Sequence, residues 1–255
     1  MLKQIFIFLF FLVSQPVLAQ ESERNYRTGE FDVKSTIVDL LGEKTAKSYE
    51  QIFDADEELL WNVFVPANFT PENAAGVIVY FSDKYPNQVE SGWKGAAEEK
   101  NFIWVSPKRA RNFTNRKKLL LGVLATPLIE SLYPINGSRV YVTGDRSGCD
   151  LASNAARIYP NIFSGAIYNS CKAETWKKEL PPGIDLMRKH RYVFIASARS
   201  ENNREIRRSL IKYNKSGIEN TQFKLLSSLD GNVKLNNNHI RDIVAYLDGD
   251  IESVN

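Results

Sequence analysis

Short apolar runs alternate along most of this chain with longer stretches whose apolar residues recur every three or four positions. Residues 76–81, 102–105, 140–143, 162–168, 192–196 and 222–226 read as strands. The first two are apolar almost throughout, as expected where a strand is covered on both faces. Residues 91–100, 119–132, 151–158, 204–213 and 240–247 carry the helical spacing between and after them. Strands alternating with helices predict an α/β domain: a mostly parallel central sheet with helices on both faces.

Upstream of this alternation the pattern changes. Residues 48–53 and 59–65 read as two strands of a hairpin, joined by the acidic turn 54–58. Residues 20–47 read as a flexible lead-in, because 21–36 are polar and without apolar periodicity. The first nineteen residues have the form of an export signal. Lys3 supplies the positive start, 5–13 the apolar core, and Pro16, Val17, Leu18 and Ala19 a small-residue cleavage site. The apolar run is shorter than the ~20 residues that span a bilayer. The expected mature product is exported (periplasmic or secreted), has no membrane span, and folds as a single domain over 48–255.

The most informative stretch runs from Arg139 to Ser153. A β-branched and aromatic strand enters a turn bracketed by Gly144 and Gly148, and an amphipathic helix leaves it. Strand, sharp turn and helix form the frame of a nucleophile elbow, G-x-S-x-G, in which glycines let the helix cross close over the strand. The bracket is intact here, but Arg146 stands at its centre.

Composition narrows the chemistry. A net charge of +3 on 255 residues argues against a nucleic-acid protein. No Cys/His cluster has metal spacing and no glycine loop fits a phosphate, so no cofactor is expected. Cys149 and Cys171 sit one turn past the elbow and just past the next strand. They form either a disulfide or two buried thiols. The basic run Lys108, Arg109, Arg111, Arg116, Lys117 and Lys118 reads as a solvated loop, or as an attractor for an acidic envelope polymer.

Val65-Pro66, the strand ending at Phe81, Trp93 with Ala96-Ala97, residues 102–107 and residues 139–144 resemble the exported α/β-hydrolases. The resemblance is to the polyhydroxybutyrate depolymerase and feruloyl esterase-like proteins, over roughly residues 61–247. It implies the α/β-hydrolase fold and a Ser, Asp/Glu, His triad in that chain order. Carried over, the nucleophile position falls on Arg146, the acid on Glu201 and the histidine on Asn232. The oxyanion-hole loop reads Ser82-Asp83, where a carboxylate opposes a developing oxyanion. The implied protein has a degenerate triad: a hydrolase fold acting as a binding or interaction module, with Arg146, Ser82 and Asp83 as its candidate ligand set. In that role Arg146 either pairs with Glu201, Asp145 and Asp83 as a plug, or grips a carboxylate or phosphate of a small-molecule or envelope ligand. The alternative is a carboxylic ester hydrolase of the same type, working through a displaced pair, Ser147 and His239. His190 lies in a basic loop and is not part of this set.

Overall fold

A computed structural model describes residues 25–82, 88–108, 112–145, 147–228 and 233–251. The chain opens with a strand, Gly29–Ser35 (β1), and a helix, Ile37–Ala46 (α1). Then come Leu59–Val65 (β2), Ala75–Phe81 (β3), Ser91–Lys100 (α2), Phe102–Pro107 (β4) and Asn115–Leu132 (α3). The second half runs Ile135–Gly144 (β5), Ser147–Ile158 (α4), Gly165–Asn169 (β6), Ile184–Met187 (α5) and Arg191–Ser197 (β7). It closes with Asn203–Lys215 (α6), Thr221–Leu226 (β8) and Asn237–Asp248 (α7).

The strands make one sheet in the order β1-β2-β4-β3-β5-β6-β7-β8. β2 runs antiparallel to both of its neighbours, and every other pairing is parallel. Alternation along each strand divides the core in two. Val77, Val79 and Phe81 face a layer built from α1, α3, α4 and α6, while Ile78, Phe102 and Trp104 face α2 and α7. Trp61 is fully buried under the first layer, where its indole N–H donates to the Leu121 carbonyl at 2.9 Å. The expected parallel sheet with helices on both faces is present, with strand and helix limits shifted by a few residues.

Two expectations upstream are corrected. The described part of the lead-in is not featureless. Phe31 is buried and Val33 packs on the core, which is enough to seat β1 against β2, with Phe31 opposite Val63. Thr36 then caps α1 reciprocally: Asp39 N–H donates to Thr36 Oγ1 at 3.1 Å and Thr36 N–H to Asp39 Oδ2 at 3.2 Å. The hairpin is the second correction. Residues 48–53 form a helical turn in which Phe53 N–H donates to the Tyr49 carbonyl at 3.0 Å, so β2 pairs with β1 instead. Tyr49, Ile52 and Phe53 all pack on the core, a spacing of three and four that suits one side of a helical turn and not a strand. The export signal lies outside the described residues.

Candidate functional site

In a sheet of this kind the carboxyl ends of the parallel strands converge on one rim, where loops carry chemistry on a rigid base. The loops after β3, β5, β6, β7 and β8 share that rim. At its centre is the turn from β5 into α4. Asp145 N–H donates to the Phe81 carbonyl at 3.1 Å, and Gly148 N–H to the Asp145 carbonyl at 2.7 Å. A Cβ on Gly144 would stand 2.5 Å from the Gly148 carbonyl carbon and 2.7 Å from the Phe81 oxygen. One on Gly148 would run into the Phe81 carbonyl itself. Neither glycine has a left-handed backbone. Close approach of helix to strand requires them, not conformational freedom.

Cys149, in the first turn of α4, is disulfide-bonded to Cys171 just beyond β6, with Cα atoms 6.3 Å apart. Of the two states left open by the sequence, the disulfide is the one present. One turn further, the buried Ser153 hydroxyl accepts the Glu174 N–H. Tyr168 and Tyr213 share a hydrogen bond of 3.0 Å beneath it. Burial holds both phenols above their ordinary range, Tyr213 up to about 12, so they stay neutral in a dry, rigid floor.

Asp150, on the same turn as Cys149, has its carboxyl raised by partial burial and by the neighbouring Glu174, against Lys172. A carboxyl raised by folding contributes its stability below the ordinary carboxylate range, and that contribution is lost as pH rises through the raised value. Asp150→Asn is therefore expected to raise the melting temperature slightly at neutral pH, with the difference vanishing near ~pH 3. Thermal melts at the two pH values check this, and an unchanged gap between them would sink it.

The rim contains one feature that sequence reasoning missed. Ser170, at the end of β6, has a left-handed backbone (φ 58°), and its N–H donates to the Ile195 carbonyl at 2.9 Å. Its hydroxyl accepts the Val233 N–H at 3.1 Å, while Asn169 donates to the Val233 carbonyl at 2.9 Å. The chain returning from β8 is thus fastened across β7 to the end of β6. The only hint in the sequence is a polar Asn-Ser pair closing an apolar strand. Beside the rim, Glu90, Ser91, Gly92, Lys234, Leu235, Asn236 and Asn237 line an open groove of about 520 Å³ between the starts of α2 and α7. No elbow residue lines it.

No known family model and no curated protein matches the sequence. Solved structures do resemble it. A thermostable esterase matches 68% of this chain and 52% of its own at 13% identity, with a TM-score of 0.51. A ferulic acid esterase matches 78% of this chain and 91% of its own at 12% identity, TM-score 0.53. One of two fungal esterases from Rhizomucor miehei matches 88% of this chain and 85% of its own at 11% identity, TM-score 0.55. The chain has the α/β-hydrolase fold. It spans about half the length of the thermostable esterase, and identities this low carry the fold and nothing finer.

On that fold the sequence-derived positions can be placed. Arg146, Asp83 and Asn232 lie outside the described residues. Their neighbours set the frame: Asp145 and Ser147 flank the elbow centre, half-buried Ser82 ends the path of β3, and Val233 is pinned at β6. Glu201 is exposed in the loop between β7 and α6. Ser147 is exposed as the first residue of α4. His239 lies in the first turn of α7, where its N–H is capped by Asn236 Oδ1 at 2.9 Å and its Nδ1 is buried without a hydrogen-bond partner among the described residues. α4 and α7 pack on opposite faces of the sheet, and no hydrogen bond joins Ser147 to His239 among the described residues. His190 precedes β7 and so lies at the amino end of the strands, across the sheet from the elbow. Burial, then Lys189, lowers its basicity. The basic run is partly committed within the molecule. Lys108 pairs with Asp32 at 2.8 Å and Lys117 with Glu57 at 2.6 Å, whereas Arg109 and Arg111 lie outside the described residues. Among the described residues no group of three His, Cys, Asp or Glu side chains can hold a metal.

Proposed function

We propose that this protein is an exported binding or interaction module on an α/β-hydrolase fold, without serine-hydrolase chemistry. The observation that carries the reading is the close approach at Gly144 and Gly148, the frame of an elbow, and the position midway between them in the sequence is 146. In the sequence that residue is arginine, a permanent cation with five N–H donors and no nucleophilic electron pair at physiological pH. Asn232, at the histidine position, offers no base. An arginine at this sequence position, with Ser82 and Asp83 as its companions in the candidate set, suits a ligand bearing a carboxylate or phosphate that the guanidinium grips bidentately. Export is supported by the Cys149–Cys171 bond, since such bonds persist in oxidising compartments. No described helix is long and apolar enough to cross a membrane.

The test is labelling with a serine-reactive fluorophosphonate, on the wild type and on Ser147→Ala. The expected result is no labelling of either. Labelling of the wild type that is lost in Ser147→Ala would mean the nucleophile has moved by one residue, and the ester-hydrolase reading would replace this one.

A further inference from the structure

Charge is unevenly distributed along this chain. Residues 172–226 hold thirteen lysines and arginines against six acidic residues, whereas the rest of the chain holds twenty against twenty-four. The fold brings α6 and β8, which carry six of these cations, to one edge of the sheet. α6 buries Ile206, Ser209 and Tyr213 and turns Arg204, Arg207, Ile211 and Lys215 outward, a stripe at spacings of three and four. The loop before α5 is fastened along it: Ser209 Oγ donates to the Ala173 carbonyl at 2.9 Å, and Lys212 stands over the Trp176 ring at 6.0 Å. Arg188 ties the far end, its Nε donating to the Ser216 carbonyl at 3.1 Å. On the other side lies β8, the edge of the sheet, joined to α6 where Arg207 stacks 4.2 Å above Phe223.

Apolar side chains are exposed on the same segment. Of the seven large apolar residues exposed among the described residues, Leu180, Leu186, Ile211 and Leu225 belong to it, the last two about half exposed. All four are aliphatic. The aromatic rings of the flank are covered, Trp176 and Phe223 lying under Lys212 and Arg207. Glycans and single-stranded nucleic acids are gripped largely by stacking on open aromatic rings, which this flank does not present. Aliphatic tips set among cations match the boundary between anionic headgroups and acyl chains. Among the described residues the segment's own ion pairs are Arg188 with Asp185 and Arg208 with Glu205, leaving its excess cations for an outside partner.

We infer that the flank formed by α6 and β8 docks this protein peripherally on an anionic lipid surface. The cations supply attraction, and Ile211 and Leu225 enter the headgroup layer. The rim of the sheet is not part of this contact, so the inference stands whether or not the rim binds a ligand.

The test is co-sedimentation of the full chain with phosphatidylcholine vesicles, with and without phosphatidylglycerol, at low and high salt. Binding is expected only with phosphatidylglycerol and is expected to weaken in salt. Each basic residue at such a surface is worth about fivefold in partition, so Arg204→Gln with Lys215→Gln should lower binding about thirtyfold. Ile211→Ser should lower it further while leaving the salt dependence in place. All three positions are solvent-facing, and an unchanged melting temperature confirms that the variants are folded. Equal binding to neutral vesicles, insensitive to these substitutions, overturns the inference and assigns binding to the apolar first residues. Binding to soluble polygalacturonate but not to vesicles overturns it in favour of an acidic glycan.

Discussion

Asp248→Ala is expected to lower the unfolding free energy by about 3–5 kcal/mol, read from denaturant titration. Asp248 closes α7, and its carboxylate accepts three hydrogen bonds from β5: Arg139 Nε at 2.9 Å, Arg139 Nη2 at 2.8 Å and the Tyr141 hydroxyl at 2.8 Å. The two ionic side chains are only 21% and 10% exposed, so the pair lies where water screens little. Removing the carboxylate leaves a guanidinium stacked 4.3 Å above Phe102 that still donates to the Lys100 carbonyl, and a buried phenol that has lost its acceptor. Leaving a buried charge uncompensated costs more than the pair contributes while intact, which sets the size of the loss. Two comparisons sharpen the test. Tyr141→Phe should add little in the Asp248→Ala background, since the phenol has already lost its acceptor. Asp185→Ala, which breaks a pair with Arg188 that is 85% exposed on its acidic side, should change stability by less than about 1 kcal/mol. A loss below 1 kcal/mol for Asp248→Ala itself would mean that α7 is held by its apolar stripe alone.

Much of this architecture is legible in the sequence because burial on two faces leaves an unmistakable trace. β3 and β4 are apolar in consecutive positions, and only a covered central strand tolerates that. β1 leaves almost no trace. It is an edge strand with one buried residue, Phe31, so its polar positions look like those of a mobile tail. The turn at residues 48–53 misleads for a different reason: a six-residue stretch is too short to tell period two from period three and a half by eye. The elbow is legible as a turn because its glycines are demanded by contact with Phe81, a constraint local enough to show as Gly144 and Gly148. What lies around it is not. Whether Ser147 and His239 meet depends on how the starts of α4 and α7 are seated at the rim, a decision made by packing across several strands. The clasp of Val233 by Asn169 and Ser170 is equally hidden, because it joins residues 63 and 64 positions apart in the chain.

Gly148→Ala is expected to cost about 3 kcal/mol, and Gly137→Ala, near the start of β5, almost nothing. The contrast isolates close approach from glycine content. A methyl on Gly137 meets no heavy atom within 4 Å, whereas on Gly148 it overlaps the Phe81 carbonyl, a backbone atom that cannot rotate aside. Relief requires α4 to lift from the sheet. Asp145 N–H would then lose its 3.1 Å bond to that same carbonyl, and Cys149 would strain against the bond to Cys171 that anchors the helix start. The measurement is the melting temperature of both variants, with the disulfide intact in each. Its outcome reaches beyond stability. The tight approach at Gly144 and Gly148 marks the frame within which position 146 is central in sequence, and the reading of this fold as a binding module rests on that frame. A tolerated alanine at 148 would mean that the turn has room to shift by one residue, which would bring Ser147 to its centre and make the ester-hydrolase reading the stronger one.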